Sequence, residues 1–236
     1  MMFSESAEFY DAIYSFKDYS AEAARIAALV RSVHPGAHAI LDVACGTGEH
    51  ARFLAADHGF DVDGLDLDAG LLRVARQKHR SGRFFQADMS EFSLESRYDV
   101  VLCLFSSIGY LVTLERTRQA LECFKRHLRQ DGVLVVEPWF PPGGLDVGRV
   151  VRMTGTHEGR VVERISRNEI NGRMSRLYFD YRIDTPNGVR TVSEVHELGL
   201  FTMQEMATAF DGAGLRASFD AVGLTGRGLW VARAMA

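Results

Sequence analysis

Short apolar runs alternate with segments of helical periodicity from Tyr19 to Glu137. Apolar residues at helical spacing mark one face of a helix, whereas short continuous apolar runs mark buried strands. The pattern predicts helices over Tyr19–Val33, Glu49–His58, Ala69–His79 and Leu114–Leu128. It predicts strands over Ala39–Val43, Asp61–Leu67, Arg83–Gln86, Tyr98–Leu104 and Gly132–Glu137. Such regular alternation indicates βαβ units and therefore an α/β fold around a parallel sheet.

The pattern changes after Pro138. A linker with two prolines and two glycines, 141–144, precedes short β-prone runs from Val150 to Leu200. The turn signals Asn171-Gly172 and Pro186-Asn187-Gly188 separate these runs, which predicts a small antiparallel sheet of about four strands. A capping box then predicts a helix from Thr202 to Phe210, and two closing strands are predicted over Leu215–Ala221 and Leu229–Ala234.

Composition limits the classes of partner. The 236 residues are 47% hydrophobic and 25% charged, which suits one globular domain with or without an inserted subdomain. A net charge of −4 with scattered basic residues argues against nucleic acid. Met1–Tyr10 lacks the basic start and apolar run of a signal peptide, and no apolar stretch has the length of a membrane helix. Three distant cysteines predict no disulfide framework, so a cytoplasmic location without membrane contact is expected.

A glycine loop and two later aspartates carry the strongest chemical signal. The loop, Asp42–Gly48, lies between a predicted strand and a predicted helix, where small residues let the backbone approach a ligand closely. Asp66 ends the next strand, where a carboxylate can accept both ribose hydroxyls, and Asp88 follows the third strand, where it can accept from an adenine amino group. Together these positions predict a nucleoside site at the carboxyl edge of the sheet.

The composition of the loop distinguishes between nucleoside cofactors. A dinucleotide site usually has a third glycine, but Gly48 is followed here by Glu49, His50 and Ala51. An aspartate also precedes the two glycines, and an acidic loop suits a sulfonium and an ammonium better than a pyrophosphate. The pattern therefore disfavours a dehydrogenase.

These motifs resemble those of a known class of enzymes. Asp42–Gly48, Gly64–Asp66 and Ala87–Met89 look like motifs I, II and III of the class I S-adenosylmethionine (SAM)-dependent methyltransferases, with Ala44 in place of the usual first glycine. The resemblance implies a Rossmann-like sheet, with SAM as cofactor and S-adenosylhomocysteine (SAH) as its product. The implied cofactor-binding residues are Tyr14, Asp42, Ala44, Gly46, Gly48, Asp66, Leu67, Asp88, Met89 and Phe105.

A narrower resemblance covers nearly the whole chain. It rests on segments 10–14, 17–19, 105–111, 136–139 and 226–229. These segments are similar to those of the N,N-dimethyltransferases of dTDP-linked amino-deoxysugars in antibiotic pathways. The resemblance implies a homodimer, a nucleotide-linked amino sugar as acceptor, and a methyltransferase domain of 1–139 and 201–236 around an inserted β subdomain of 140–200. The segment between Tyr14 and Lys17 is shorter than in that family, a departure that concerns the lid over the cofactor.

The same resemblance suggests residues for the acceptor and for catalysis. Tyr14 matches a tyrosine that closes over SAM, and His196 matches a family histidine on a strand of the predicted inserted sheet. Glu137 ends the fifth strand at the mouth of the site, so Tyr14, His196 and Glu137 are the candidate catalytic residues. Ser106, Trp139 and Arg227 are the candidate acceptor-binding residues, with Arg227 expected to be exposed and to contact a diphosphate.

Other interpretations stay open at the level of sequence. The acceptor could be another small-molecule amine or hydroxyl, and a module that binds SAM without turnover would carry the same motifs. A metal site is not expected, because the histidine pairs His34/His38 and His50/His58 lack acidic or cysteine residues at ligand spacing.

Overall fold

Two β-sheets organise the protein in the computed structural model, which describes residues 6–235. The larger sheet contains β1 Ala39–Val43, β2 Asp61–Asp66, β3 Phe84–Gln86, β4 Tyr98–Cys103, β5 Leu128–Val136, β10 Leu215–Asp220 and β11 Leu229–Ala234. The smaller sheet contains β6 Val151–His157, β7 Arg160–Asn171, β8 Met174–Thr185 and β9 Gly188–Gly199. The helices are α1 Tyr10–Ile13, α2 Tyr19–Val33, α3 Glu49–His58, α4 Ala69–Lys78, α5 Leu114–Arg126 and α6 Met203–Gly212, with 3-10 turns at Ala7–Phe9 and Ser107–Leu111.

The predicted elements are present with boundaries that agree within about two residues, except at the start of β5. The strand expected to begin at Gly132 begins at Leu128, which pairs with Tyr98. The preceding helix ends at Arg126 because the ring of His127 turns back to hydrogen-bond the carbonyl of Cys123. Asp131, with φ of +60°, therefore lies within an irregular part of β5 and does not open the strand.

The order of strands in the larger sheet creates a crevice at its carboxyl edge. The order is β10-β11-β5-β4-β1-β2-β3, and β11 alone runs in the direction opposite to the other six strands. From β1 the chain proceeds outward to β2 and β3, and it then returns to the other side of β1 to form β4 and β5. Ligands bind where the order reverses in this way, so the crevice lies between the ends of β1 and β4.

Both faces of the larger sheet are covered by helices. Phe124 of α5 and Phe210 of α6 are fully buried on one face, and Ile26 of α2 and Leu54 of α3 are fully buried on the other. The strands between them read as continuous apolar runs because neither face meets water. This core fixes the strand ends that carry the loops of the crevice.

The smaller sheet is antiparallel, in the order β6-β7-β8-β9, and packs against the N-terminal segment. Phe9 and Ile13 form a buried cluster with Val162, Phe179 and Ile183 of that sheet. The contact is close at Gly155 of β6, where a Cβ atom would lie 2.3 Å from the carbonyl oxygen of Ala12. The N-terminal segment is therefore held between the smaller sheet and the crevice.

The predicted α/β class, with a mostly parallel sheet and a separate antiparallel one, is confirmed. The division into a domain of 1–139 and 201–236 and an inserted subdomain of 140–200 stays a prediction, and its residues 1–5 and 236 lie outside the described part of the chain. Within residues 6–235, no helix is both long and apolar enough to cross a membrane.

Candidate active site

A cleft opens at the carboxyl ends of β1 and β4. Its walls come from the glycine loop, from the segment after β4 and from two tyrosines of the N-terminal segment. The lining residues are Tyr10, Tyr19, Asp42, Ala44, Cys45, Gly46, Thr47, Glu49, His50, Leu104, Phe105 and Ser107. The cleft therefore coincides with the crevice that the sheet topology creates.

The glycine loop turns through left-handed backbone conformations. Ala44, Gly46 and Gly48 have φ of +58°, +57° and +75°. A Cβ atom on Gly48 would lie 3.0 Å from the Cβ of Ala75, so only glycine lets α3 pack against α4 here. A Cβ atom on Gly46 would meet nothing within 4 Å, which leaves this peptide open to a ligand in the cleft.

Asp66 ties the glycine loop to the end of β2. Its two carboxylate oxygens accept from the backbone N–H of Gly46 and of Asp68, each at 2.8 Å. The side chain is almost fully buried, and burial raises its pKa although these hydrogen bonds act in the opposite direction. A carboxylate fixed in this way has lone pairs left to accept the two ribose hydroxyls of a nucleoside. Leu67 follows at the rim and is 53% exposed, so it can cover one side of such a ligand.

Asp42 offers an unsatisfied carboxylate to the cleft. It is 1% exposed, and its Oδ2 has no hydrogen-bond partner. Burial raises its pKa to about 7, against the opposing influence of His50 and together with the charge of Asp66. A buried acceptor without a donor is costly, and an ammonium group would supply the missing donor. The cleft therefore fits SAM, which carries such an ammonium in its methionine part.

A buried ionic network closes the cleft near Asp42. The ammonium of Lys17 pairs with Glu22, and the other oxygen of Glu22 lies 2.9 Å from Nε2 of His50. Burial alone would raise the pKa of Glu22, but hydrogen bonds from His50 and Lys17 lower it overall. This network was not predicted, although Lys17 lies in a segment that resembles the dimethyltransferase family and His50 lies two residues after the glycine loop.

Asp88 lies after β3 and is anchored by protein donors. One oxygen accepts from the backbone and hydroxyl of Ser90, and the other accepts from Arg116 at 2.8 Å. Burial tends to raise its pKa, but these donors lower it overall. An ionised Asp88 retains lone pairs for an adenine amino group, while Met89 packs partly buried against the core.

Tyr14 and Phe105 meet over the cleft. Their rings stand edge to face with centroids 5.3 Å apart, and Tyr10 packs on Tyr14 at 4.6 Å. The hydroxyl of Tyr14 accepts from Arg164 of β7 at 2.8 Å. Phe105 has a φ of +51°, a strained conformation that directs its ring into the cleft. Arg164 was not anticipated, because an inward arginine is invisible in an alternating strand pattern.

Glu137 is a buried anchor at the end of β5. It is fully buried, and its Oε2 accepts from the N–H of Phe105 at 2.7 Å. Its Oε1 accepts from the hydroxyl of Thr225 at 2.6 Å and lies 3.4 Å from Nη2 of Arg227. Both oxygens are thus engaged by the protein, which points to positioning of Phe105 and Arg227 in preference to proton transfer.

Arg227 lies next to Phe105 at the edge of the cleft and is largely covered, contrary to the expected exposure. Its side chain is 19% exposed, and the centre of its guanidinium lies 5.5 Å from the ring of Phe105 and 6.0 Å from that of Phe140. The Nε atom is buried without a partner. Aromatic neighbours and Glu137 hold the guanidinium in place, and its buried Nε–H is left without an acceptor.

Two predicted acceptor contacts are used within the protein. The hydroxyl of Ser106, 1% exposed, donates to the carbonyl of Pro138 at 2.7 Å, so the neighbouring Ser107 lines the cleft instead. The indole N–H of Trp139 donates to Ser175 of β8 at 2.9 Å. Ser106 therefore links the end of β4 to the segment after β5, and Trp139 links that segment to β8 of the smaller sheet. Because these contacts join residues far apart in the chain, the local sequence could not show them.

His196 lies beneath the site on β9 and is fully buried. Its Nδ1 lies 3.0 Å from the hydroxyl of Tyr110 and its Nε2 lies 3.3 Å from Glu194. Glu194 also accepts from Ser6 at 2.7 Å. This chain of polar groups connects the 3-10 turn after β4 to the N-terminal segment, so His196 helps to hold that segment in place. Among the described residues, no group of three or more His, Cys, Asp or Glu side chains could hold a metal ion.

Comparison with known proteins agrees with this geometry. A model of the methyltransferase domain matches residues 40–132. The chain is 42% identical over 229 residues to the dTDP-3-amino-3,6-dideoxy-alpha-D-glucopyranose N,N-dimethyltransferase of Streptomyces fradiae, covering 96% of this chain and 89% of that enzyme. It is 40% identical to the dTDP-3-amino-3,4,6-trideoxy-alpha-D-glucopyranose N,N-dimethyltransferase of Streptomyces venezuelae, covering 96% and 97%.

Solved structures show the same similarity. Streptomyces venezuelae DesVI superposes with a TM-score of 0.90 and 39% identity, covering 98% of this chain and 99% of that one. SAM-bound CalS10, an amino pentose methyltransferase from Micromonospora echinaspora, superposes with a TM-score of 0.82 and 37% identity, covering 94% and 95%. The predicted class, fold and cofactor are confirmed. The chain belongs to the SAM-dependent methyltransferases, in the family of the dTDP-amino-sugar N,N-dimethyltransferases.

Proposed function

We propose that the protein transfers methyl groups from SAM to the amine of a dTDP-linked amino-deoxysugar, in two successive rounds. The observation that carries the acceptor is Arg227, a covered guanidinium with an unpartnered Nε beside the aromatic rings of the cleft. Such a group binds one or two phosphate oxygens with defined geometry. The relatives that span nearly the whole chain act on dTDP-amino sugars by name.

The residues of the cleft divide into a cofactor set and an acceptor set. Asp42 is proposed to bind the ammonium of SAM and Asp66 its ribose hydroxyls, with Ala44, Gly46 and Gly48 giving backbone access. Asp88 is proposed to accept from the adenine amino group, with Leu67 and Met89 flanking the base. Phe105 and Tyr14 separate this set from Arg227, so the acceptor amine would reach the methyl group beside these two rings.

The chain supplies alignment more than proton transfer. When bound, SAM supplies an activated methyl group on a sulfonium, so the protein mainly has to hold the amine in line with it. Alignment of this kind accounts for up to roughly 7–11 kcal/mol in well-oriented pairs. Glu137 and His196 are both engaged by protein donors or acceptors, and a sugar amine can release its proton to solvent near neutral pH.

The assembly and the location are further parts of the proposal. The resemblance to the dimethyltransferases supports a homodimer, which sedimentation or size-exclusion chromatography with light scattering would test. The cytoplasm is supported by three cysteines, Cys45, Cys103 and Cys123, that are free and buried.

Mass spectrometry of the protein with SAM and a dTDP-3-amino-3,6-dideoxyhexose tests the function. We expect the sugar to gain one and then two methyl groups, with one SAH formed for each. The matched control is the same nucleotide sugar with a hydroxyl in place of the amine, which should stay unmodified. A sample that binds SAM but leaves the amino sugar unchanged would overturn the acceptor, and methylation of the hydroxyl compound would move it to the oxygen acceptors.

A further inference from the structure

Within residues 6–235, no carboxylate forms an ion pair with the buried cation of Arg164. It is 3% exposed, its Nη1 donates to the hydroxyl of Tyr14 at 2.8 Å, and its Nη2 lies 3.0 Å from the sulfur of Met153. Its Nε has no hydrogen-bond partner. The titratable groups with the largest influence on Arg164 are the tyrosines Tyr14 and Tyr181, which raise its pKa against the effect of burial. An unpaired buried guanidinium is costly to the fold, so its presence calls for a functional explanation.

Every element around Arg164 presents an aromatic, hydroxyl or thioether group to it. The centre of the guanidinium lies 4.4 Å from the ring of Phe179 on β8 and 4.8 Å from the ring of Tyr14 above it. Tyr181 of β8 is the second titratable group that interacts with it. Glu194 of β9 is engaged by Ser6 and His196. Aromatic rings and a tyrosine hydroxyl therefore stabilise the charge of Arg164, and no described carboxylate neutralises it.

Two other cations beside Phe105 have carboxylate neighbours. Lys17, 4.6 Å above the ring of Phe105, is paired with Glu22, and Arg227 lies beside Glu137. Arg164 is connected to Phe105 through Tyr14: its guanidinium donates to the hydroxyl of Tyr14, and the ring of Tyr14 packs against that of Phe105. Arg164 thus differs from Lys17 and Arg227 in having no described carboxylate beside it.

We infer that the uncompensated charge of Arg164 holds the acceptor amine in its unprotonated, nucleophilic form inside the closed site. The inference rests on the proposed function and adds a positioning residue to it. A nearby cation in a buried site disfavours an ammonium, so the ammonium proton passes to solvent before the reaction. The nitrogen lone pair then forms the N–C bond while the C–S bond breaks with its electron pair left on sulfur, and the product ammonium returns its extra proton to solvent on release.

The same field has a consequence that does not depend on the acceptor. SAM carries a positive sulfonium where SAH has a neutral thioether, so a cation near the reaction centre weakens SAM binding relative to SAH binding. Removing the charge should raise the affinity of SAM relative to that of SAH. A role of Arg164 in packing alone would change both affinities together.

Three substitutions separate charge from hydrogen bonding. Arg164→Gln keeps a donor for the hydroxyl of Tyr14 but loses the charge, whereas Arg164→Lys keeps both. Arg164→Met removes both and shows the cost to folding, measured by thermal unfolding. Arg167→Met, on the exposed face of the same strand, is the matched control.

The first measurement is the ratio of SAM to SAH affinity by calorimetry. We expect it to rise about threefold to tenfold in Arg164→Gln and to stay at the wild-type value in Arg164→Lys and Arg167→Met. The second is the pH dependence of the single-turnover methylation rate with the amino sugar, which reports the ionisation of the bound amine. Its midpoint should move up by about one pH unit in Arg164→Gln alone, because the bound amine then holds its proton more tightly.

An unchanged affinity ratio in Arg164→Gln overturns the inference, whichever acceptor the enzyme uses. If the wild-type enzyme methylates the amino sugar, an unchanged pH midpoint in Arg164→Gln also overturns the inference. If the wild-type enzyme leaves the amino sugar unmodified, the proposed acceptor fails while the affinity ratio still decides the role of the charge. If Arg164→Gln does not fold, Tyr14→Phe replaces it in the test, because Tyr14→Phe removes the hydrogen bond but keeps the charge of Arg164. A raised affinity ratio in Tyr14→Phe, with equal ratios in Arg164→Lys and the wild type, would contradict the inference.

Discussion

The two halves of the cleft have opposite charge. The cofactor half, at the ends of β1 and β2, presents the buried carboxylates Asp42 and Asp66. The acceptor half, between the end of β5 and the smaller sheet, presents Arg227 and Arg164 with unpartnered guanidinium nitrogens. The carboxylates of the cofactor half suit an ammonium and ribose hydroxyls. The cations of the acceptor half suit a diphosphate, and they favour the neutral form of the amine over the ammonium. We propose that this difference in charge keeps SAM and the acceptor in separate places.

The halves also differ in how the chain builds them. Asp66 and Gly46, which interact in the cofactor half, are 20 residues apart. In the acceptor half, Tyr14 and Arg164 are 150 residues apart, and Glu137 and Thr225 are 88 apart. The cofactor half is made by neighbouring strands and their loops, whereas the acceptor half depends on the docking of the N-terminal segment and the smaller sheet.

The largest expected effect is the loss of cofactor binding when the cofactor half is disrupted. Asp66→Ala should weaken SAH binding on the order of a hundredfold, because it removes the proposed ribose acceptor and frees the N–H groups of Gly46 and Asp68. Calorimetry measures the affinity. Asp61→Ala is the matched control, since that carboxylate is exposed at the start of the same strand. Wild-type affinity in Asp66→Ala would place the ribose elsewhere.

Breaking the acceptor half should leave the cofactor half intact. Arg227→Ala should weaken dTDP binding roughly tenfold to a hundredfold through the loss of charge-assisted hydrogen bonds, with SAH affinity nearly unchanged. Titration of each ligand separately measures both values. Arg216→Ala, on the exposed edge strand β10, is the control. A parallel loss of both affinities would show that Arg227 supports the whole cleft and does not select the acceptor.

The pKa of Asp42 gives the cofactor half a pH dependence. Its folded-state value of about 7 is raised from 3.8 by burial, and a bound ammonium should lower it again. SAM affinity should therefore rise by up to about tenfold per pH unit between roughly pH 5 and 7, with proton release that calorimetry in several buffers detects. Asp42→Asn should bind more weakly with a flat profile. A sloped profile in Asp42→Asn would assign the titration to another group.

The same pKa affects stability without ligand. Because the folded protein binds the proton more tightly than the unfolded chain, this group's stabilisation is present below pH 3.8 and is lost as the pH rises towards 7. The free energy of unfolding should fall across that window in the wild type, relative to Asp42→Asn, as urea denaturation at several pH values would measure. Parallel curves for the two proteins would contradict the assignment.

The smallest expected effect concerns the junction between the halves. Trp139→Phe removes one hydrogen bond to Ser175, with an expected loss of about 1 kcal/mol in the free energy of unfolding. SAH affinity should not change, because neither residue lines the cofactor half. A double-mutant cycle with Ser175→Ala measures the coupling by urea denaturation. Strictly additive losses would mean that the bond does not hold the sheets together.

The sequence predicted the cofactor half well because its signals are local. The strand ends, the loop from Asp42 to Gly48 and the aspartate at 66 follow one another in order, and the boundaries of α2, β1 and α3 match the prediction. Ser106 shows the opposite case: its position after β4 suggested the acceptor, but its positive φ of +62° turns the hydroxyl to Pro138.

The acceptor half was harder to predict because its contacts join distant parts of the chain. Arg164 occupies an ordinary position in an alternating strand, and its importance appears only when Tyr14 docks on it. The burial of Arg227 likewise depends on Phe140 and Glu137, which lie far from it in sequence. The family resemblance identified the segments around Tyr14 and Arg227. Only the packed structure shows which of their polar atoms lack a partner within the protein.

A crystal structure of the protein with SAH and dTDP tests the division of the cleft most directly. The account predicts the ribose hydroxyls of SAH on the carboxylate of Asp66 and a diphosphate oxygen within hydrogen-bond distance of the guanidinium of Arg227. Diphosphate bound away from Arg227, or SAH bound away from Asp66, would contradict the assignment of opposite charges to the two ligands.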